Sequence, residues 1–259
     1  MVVADLHVHT TNSDGTLTLA TLPEAAHRGD LDAVAVTDHD RLHPELDGPV
    51  TRLDGVTVIH GIELRVDVGD FRVDLLGYGV HPTGGIQALV ERLQTDRITR
   101  ARAIVERVED RTGADLDVTF EEGVGRPHIA RAIAESDADY DYEGAFRHLI
   151  GDGRPCYVSR DIPSFEEGRD VLLESCAVVG LAHPFRYDDP ERALELTATL
   201  DAVERYYPYG RDVETELVDD VAERYDLLVT GGSDAHDEEL GLAGLDREEF
   251  ERFCEHLNA

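Results

Sequence analysis

Short runs of aliphatic and β-branched residues recur along this chain, and five of them stop at a histidine or a carboxylate. Such runs, set between longer stretches of helical periodicity, predict an α/β fold. The predicted strands are Val2–Leu6, Ala33–Thr37, Val56–Ile62, Phe71–Tyr78, Ala177–Ala182, Asp201–Tyr206 and Leu227–Thr230. Helices are expected to begin near Thr18, Pro190, Arg211 and Asp246, where a proline at a first turn is well tolerated. In such folds ligands collect where strands end, because the loops there converge on one face.

The alternation breaks between about Gly84 and Pro163, which reads as an inserted helical lobe. A helix over Gly85–Arg111 carries Ile86, Leu89, Val90, Leu93, Ile98, Ile104, Val105 and Val108 at largely helical spacing. The expected division is therefore 1–84 with 164–259 as one domain and 85–163 as the lobe.

Charge narrows the classes of function. All 24 basic residues are arginine against 56 acids, a formal charge of −32. A dense carboxylate surface keeps its hydration in concentrated salt, where charges are screened within roughly 3 Å at 1 M, so the composition points to a halophilic cytoplasm. It argues against long nucleic acid as a partner, whose backbone is bound by cationic side chains. Cys156, Cys176 and Cys254 lack the spacing of a disulfide framework or a zinc motif. The start of the chain has neither a basic segment nor an apolar run, so no membrane association is expected.

The polar residues at the strand ends are of metal-binding types. His7 and His9 alternate along an extended chain and so face one side. Ser13-Asp14-Gly15 follows, although Asp-Gly is also a common turn pair. Thr37-Asp38-His39-Asp40, Gly61-Ile62-Glu63, Ala182-His183-Pro184 and Gly232-Ser233-Asp234-Ala235-His236 close four further strands. Imidazole mixed with carboxylate suits Mn, Fe or Zn, and a glutamate can bridge two cations.

The ordered motifs DLHVHT, SDG, TDHD, GIE, AHP and GSDAH resemble the polymerase and histidinol phosphatase (PHP) domain family of phosphoesterases. The resemblance implies a distorted (β/α)7 TIM-like barrel holding up to three divalent metals, with Mn favoured. It implies a first metal on His7, His9, Glu63 and Asp234, with Glu63 bridging to a second that His183 also binds. Asp14, His39 and His236 would take a third. The stretches GRPHIAR (125–131), GRPCYV (153–158) and HPFRY (183–187) resemble the branch that acts on 3',5'-nucleoside bisphosphates and trims short RNA from its 5' end. There His128 would complete the second metal, and Arg126, Arg131, Arg154 and Arg186 would clamp phosphate, for which a planar guanidinium fork is suited.

Where relatives often carry a histidine in the fourth strand, this chain has Asp74. The activity implied is hydrolysis of a small phosphate ester by a hydroxide bridging the metals at Glu63, with His183 and Arg186 as further catalytic groups. The alternatives are a phosphatase for another metabolite such as histidinol phosphate, or a metal-binding domain without catalysis. Nothing in the sequence fixes the oligomeric state.

Overall fold

The computed structural model describes residues 1–257. It divides into two compact units, one of residues 1–88 with 162–257 and one of Leu89–Asp161.

The first unit is built on an eight-stranded sheet. Its strands are β1 (Ala4–Val8), β2 (Ala33–Val36), β3 (Val50–Leu53), β4 (Val56–Asp67), β5 (Arg72–Tyr78), β6 (Val178–Leu181), β7 (Ala202–Tyr206) and β8 (Leu228–Gly231). They lie in the order β1-β2-β4-β5-β6-β7-β8, with β3 paired to β4 off that path. The helices of the chain are α1 (Leu22–Arg28), α2 (Gly84–Thr112), α3 (Arg126–Glu135), α4 (Tyr142–Ala145), α5 (Phe165–Ser175), α6 (Pro190–Glu195), α7 (Glu216–Tyr225) and α8 (Arg247–Leu257). Alternation along the strands serves both faces: Ala33 and Ala35 join one apolar cluster, Val34 and Val36 another. Both faces being covered, the strands read as continuous apolar runs.

The sheet curls until the segment after β8 meets β1, where the His9 N–H donates to Ala235 O at 2.9 Å and the Ala235 N–H to His7 O at 3.3 Å. Among the described residues that seam is an isolated bridge, not a continuous ladder. The regular strand-helix alternation of a (β/α)7 barrel also fails at β5, which is antiparallel to both β4 and β6. A tight reversal joins β4 to β5, with the Val68 N–H donating to Phe71 O, where a parallel neighbour would need a crossover helix. The architecture is therefore α/β with a curled sheet.

Two local devices shape it. Asp54 and Gly55 both have positive φ, as the two-residue turn joining β3 to β4 requires. Gly61 sits where β4 leaves β2 and begins to pair with β5; a Cβ there would lie 2.8 Å from Gly77 O and 2.9 Å from Thr37 Cγ2.

The second unit holds most of α2, α3, α4 and the wound turn 146–150. Its core is apolar: Ala101, Ile104, Val105, Val108, Ile129, Ile133, Leu149 and Ile150 are all buried together. Among the described residues it has no strand, and no helix of the chain is long and apolar enough to cross a membrane.

Candidate metal centre

Five imidazoles and four carboxylates converge at the ends of the strands of the first unit. His7 lies in β1 and His9 just beyond it, both fully buried. Glu63, from the middle of β4, faces four rings: Oε2 is 3.5 Å from His7 Nε2, 3.4 Å from His9 Nε2 and 2.7 Å from His39 Nδ1, while Oε1 is 3.0 Å from His183 Nε2. Asp234 Oδ1 lies 3.1 Å from His9 Nε2 and 3.5 Å from His7 Nε2. Asp14 Oδ1 is 3.4 Å from His236 Nε2 and 3.8 Å from His39 Nε2.

These side chains sort into three groups whose donor atoms lie within 4.8 Å of one another. They are His7, His9, Glu63 and Asp234; His9, Asp14, His39 and His236; and Glu63, Asp74 and His183. His9 and Glu63 are each shared by two groups, so cations placed in them would be neighbours. The chemistry of the donors fits divalent metal, and one orphaned atom supports it. His7 Nε2 is buried without a hydrogen-bond partner, aimed at Glu63 and Asp234.

Electrostatics give the same reading. Burial opposes charge on His7, yet Glu204, Asp234 and Glu63 drive its pKa well above the ordinary value. Burial likewise works against ionised Glu63, but the His39 and His7 rings hold it well below the usual carboxylate range. Asp234 is held low against its burial by His7 and His9, and Asp14 by His236 and His39. His9 moves the other way, lowered by burial and by the neighbouring His39. A set of buried carboxylates thus requires positive charge, which protons or a divalent cation can provide.

Strained backbone presents two of these side chains. His183 (φ 26°) and Asp234 (φ 50°) adopt left-handed conformations directly after β6 and β8, a cost that structures retain at functional sites. Gly232 makes room for β1, since a Cβ there would fall 2.3 Å from His7 Cβ.

A ring of supporting groups fixes them. Glu204, fully buried on β7, accepts the His183 N–H at 2.7 Å and lies 3.0 Å from His7 Nδ1, which turns the other His7 nitrogen to the centre. Asp38 takes up the Thr10 N–H and hydroxyl, both at 2.8 Å, and the Ser13 hydroxyl at 2.7 Å, shaping the loop that carries Asp14. Asp5 accepts the Ser233 N–H at 2.9 Å beside Asp234. Arg186 donates from Nη1 to Asp234 Oδ2 and to the Tyr207 hydroxyl, both at 2.9 Å, and Tyr207 in turn donates to Asp234 Oδ2 at 2.8 Å.

Of the residues anticipated from sequence, His7, His9, Asp14, His39, Glu63, His183, Asp234 and His236 enter the three groups, and Arg186 touches one of them. His128, Arg126, Arg131 and Arg154 belong to the helical unit. His128 Nδ1 accepts the Gly125 N–H at 3.2 Å at the start of α3. Arg126 pairs with Asp152, donates to Ile150 O at 3.4 Å and stands 5.8 Å from the Tyr157 ring, which Arg100 also approaches at 5.9 Å. Arg100 is pulled down to about 10 by burial and by the Arg126 and Arg160 cations, the mark of concentrated positive charge in an acidic chain. Arg131 and Arg154 are exposed. Glu204 and Tyr207 are not among the residues anticipated from sequence; the signal for Glu204 is a lone charge inside the apolar strand Ala202-Val203-Glu204.

Comparison with known proteins agrees with the geometry. The PHP domain profile matches residues 5–143. The chain is 28% identical to a 3',5'-nucleoside bisphosphate phosphatase of Chromobacterium violaceum, covering 91% of this chain and 88% of that one. It is 32% identical to a phosphoribosyl 1,2-cyclic phosphate 1,2-diphosphodiesterase of Eggerthella lenta, over 91% and 94%. Its fold resembles a solved structure of a metal-dependent phosphoesterase from Bifidobacterium adolescentis at a TM-score of 0.80 and 25% identity, over 98% and 96% of the two chains. The chain belongs to the PHP-domain family of metal-dependent phosphoesterases.

Proposed function

We propose that this enzyme releases phosphate from small nucleotides, 3',5'-nucleoside bisphosphates or the 5' ends of short RNA, at a three-cation centre. The observation that carries the reading is the sharing of Glu63 and His9 among three adjoining donor groups. His7, His9, Glu63 and Asp234 would hold the first cation, and Glu63 with His183 and the anticipated His128 the second. Asp14, His39 and His236 would hold the third. Mn is favoured, with Fe or Zn compatible with the same donors. Divalent cations bound there supply a water acidified toward neutral pH and the positive charge that a phosphate dianion needs.

The side chains do the rest. Glu204 and Asp38 hold the donors in place, so little reorganisation is needed when charge develops. Arg186, half-exposed beside Asp234, offers its remaining N–H groups to phosphate oxygens. Arg126, Arg131 and Arg154 are assigned to further phosphate contacts; the proton that the leaving oxygen requires would come from His183, where a cation does not take it up, or from water held at the centre.

Residues 1–84 and 164–259, of which 258–259 lie outside the described residues, are assigned to a distorted (β/α)7 barrel interrupted by the lobe 85–163, an assignment that the bonds of Ala235 to the end of β1 support. A net charge of −32 without a single lysine supports a salt-rich cytoplasm and small substrates over long nucleic acid. The Eggerthella lenta relative favours a second reading, hydrolysis of a phosphoribosyl cyclic phosphate.

The test is phosphate release by metal-reconstituted protein in high salt. The substrates are adenosine 3',5'-bisphosphate, a short 5'-phosphorylated RNA, phosphoribosyl 1,2-cyclic phosphate and histidinol phosphate. Preference for the first two, abolished by His9→Ala, is expected. Preference for the cyclic ester or for histidinol phosphate overturns the substrate assignment, and silence on all four with cations bound overturns the catalytic one.

A further inference from the structure

Asp74 and Arg65 face each other across the β4–β5 ladder. Arg65 Nε donates to Asp74 Oδ1 at 2.7 Å and Nη2 to Oδ2 at 2.5 Å, a two-bond fork that fixes the plane of the carboxylate. Asp74 is 2% exposed. Its backbone is held as firmly: the N–H donates to the Tyr187 hydroxyl at 2.8 Å, and the carbonyl accepts the Ala182 N–H at 3.0 Å. The Tyr187 hydroxyl donates onward to Ala182 O at 3.1 Å, so Asp74 is tied to the strand end that delivers His183. Asp74 Oδ2 lies 3.9 Å from His183 Nε2, which is 3.0 Å from Glu63 Oε1.

Two buried carboxylates and one imidazole form this group. Each carboxylate oxygen has two lone pairs, and the fork uses one on each, leaving Oδ2 able to accept a second partner. Asp74 and Arg65 together carry no net charge, as a neutral imidazole in that position would, but the donor they present is a hard oxygen. An ion pair that served only to join β4 to β5 would have no need to turn a carboxylate oxygen toward His183 and Glu63. A charged aspartate without Arg65 would stand buried beside Glu63 uncompensated, at high cost.

We propose that Asp74, oriented by Arg65, is a ligand of the second cation, and that this clamped carboxylate narrows that position's preference for Zn over Mn relative to an imidazole donor. The inference rests on the cation-dependent reading above and names a determinant of its metal preference.

The experiment strips the full-length protein with a chelator and titrates it separately with Mn and Zn in high salt. Cations per chain are counted by elemental analysis and each binding step by calorimetry, for the parent, Asp74→Asn, Asp74→His and Arg65→Lys. Asp74→Asn should lose one Mn equivalent or weaken one step at least about tenfold, leaving the other steps unchanged. Asp74→His should recover a tight step with the Zn-to-Mn preference raised at least about tenfold. Arg65→Lys, which keeps the charge and loses the fork, should weaken the same step by about tenfold. Parental stoichiometry and affinity in Asp74→Asn, even with a lower melting temperature, overturns the ligand role. An unchanged Zn-to-Mn ratio in Asp74→His overturns the selectivity, and parental affinity in Arg65→Lys overturns the clamp. Failure of the parent protein to bind any cation overturns the proposed function together with this inference.

Discussion

The two units bury different things. The helical unit closes over aliphatic side chains, with Gln94 and Arg100 among its few buried polar residues. The sheet unit buries Asp5, His7, His9, Asp38, His60, Glu63, Asp74, His183 and Glu204. Ionisable groups are taken out of water only when something compensates them, and here carboxylates and imidazoles compensate one another at the strand ends. The first unit has accepted a costly interior to build a site, whereas the second has an ordinary core. Substitutions should therefore separate, those among the buried ionisable groups of the sheet unit striking function and those in the apolar core of the lobe striking stability.

Glu63→Ala gives the largest expected effect. Its carboxylate belongs to two donor groups, so phosphate release should fall by about 10³-fold, at the upper end for loss of one preorganised electrostatic group. Rates at saturating cation, with bound cations counted alongside, check it; loss of less than tenfold would mean that the shared position does not organise the centre.

The opposite behaviour belongs to Ile104→Ala. Ile104 is fully buried in the helical core, and truncation there should cost about 2–5 kcal/mol of folding free energy. The number of cations bound per chain should stay at the parental value while the fold is retained, because Ile104 belongs to the apolar core and to none of the three donor groups. Urea unfolding gives the first quantity and elemental analysis the second. Lost cations at retained fold would break the proposed separation.

How much of this was legible in the sequence divides along the same line. The donors could be read because a histidine or acid ending an apolar run is a local signal, as at Glu63 and His183. Their supports could not, because Glu204 acquires its role only when β7 lies beside β6 and near β1, bringing it onto His7 Nδ1 and the His183 N–H. Asp74 is similar: its importance depends on register with Arg65 across a hairpin, and period-2 alternation does not disclose a partner. The orientation of β5 was also hidden, since an apolar run is the same read in either direction. The helix expected near Arg211 begins at Glu216 instead, because Pro208 and Gly210, the latter at positive φ, keep the chain out of helix past Tyr207 and Tyr209. β3 had a signal in Asp54-Gly55, but a four-residue strand with only half its side chains inward shows little apolar pattern.

Acid sharpens the comparison at an intermediate scale. His60 is 2% exposed on β4, its Nε2 accepting the His43 N–H at 3.1 Å, and burial followed by the nearby His43 lowers it to about 4. The unfolded chain would titrate near 6.5, so between pH 6.5 and 4 the unfolded state binds more protons than the native one. Stability is therefore complete above 6.5 and declines as pH falls toward 4, by at most about 3 kcal/mol from this group. Replacing it, as in His60→Asn, should flatten that part of the curve. Denaturant midpoints from pH 7 to 4, at constant cation concentration, decide it; parallel parent and variant curves would assign the acid sensitivity to the donor groups.

The smallest effect is expected where charge is plentiful and wet. Arg28 lies 2.8 Å from Glu238 and 3.3 Å from Glu24, one turn earlier on α1, with its side chain 48% exposed. Exposed pairs gain little because water already solvates both partners and holding two long side chains costs entropy. Arg28→Ala should change folding free energy by no more than about 0.5 kcal/mol, and less at molar salt, where attraction between surface charges is screened. The same screening relieves repulsion among the 56 acids, so adding salt should stabilise the parent while shrinking the Arg28 contribution. Melting in 0.1 and 3 M KCl measures both trends together. An Arg28 effect that grows with salt would mean that individual surface pairs, and not the mean field of the carboxylates, govern the exterior of this protein.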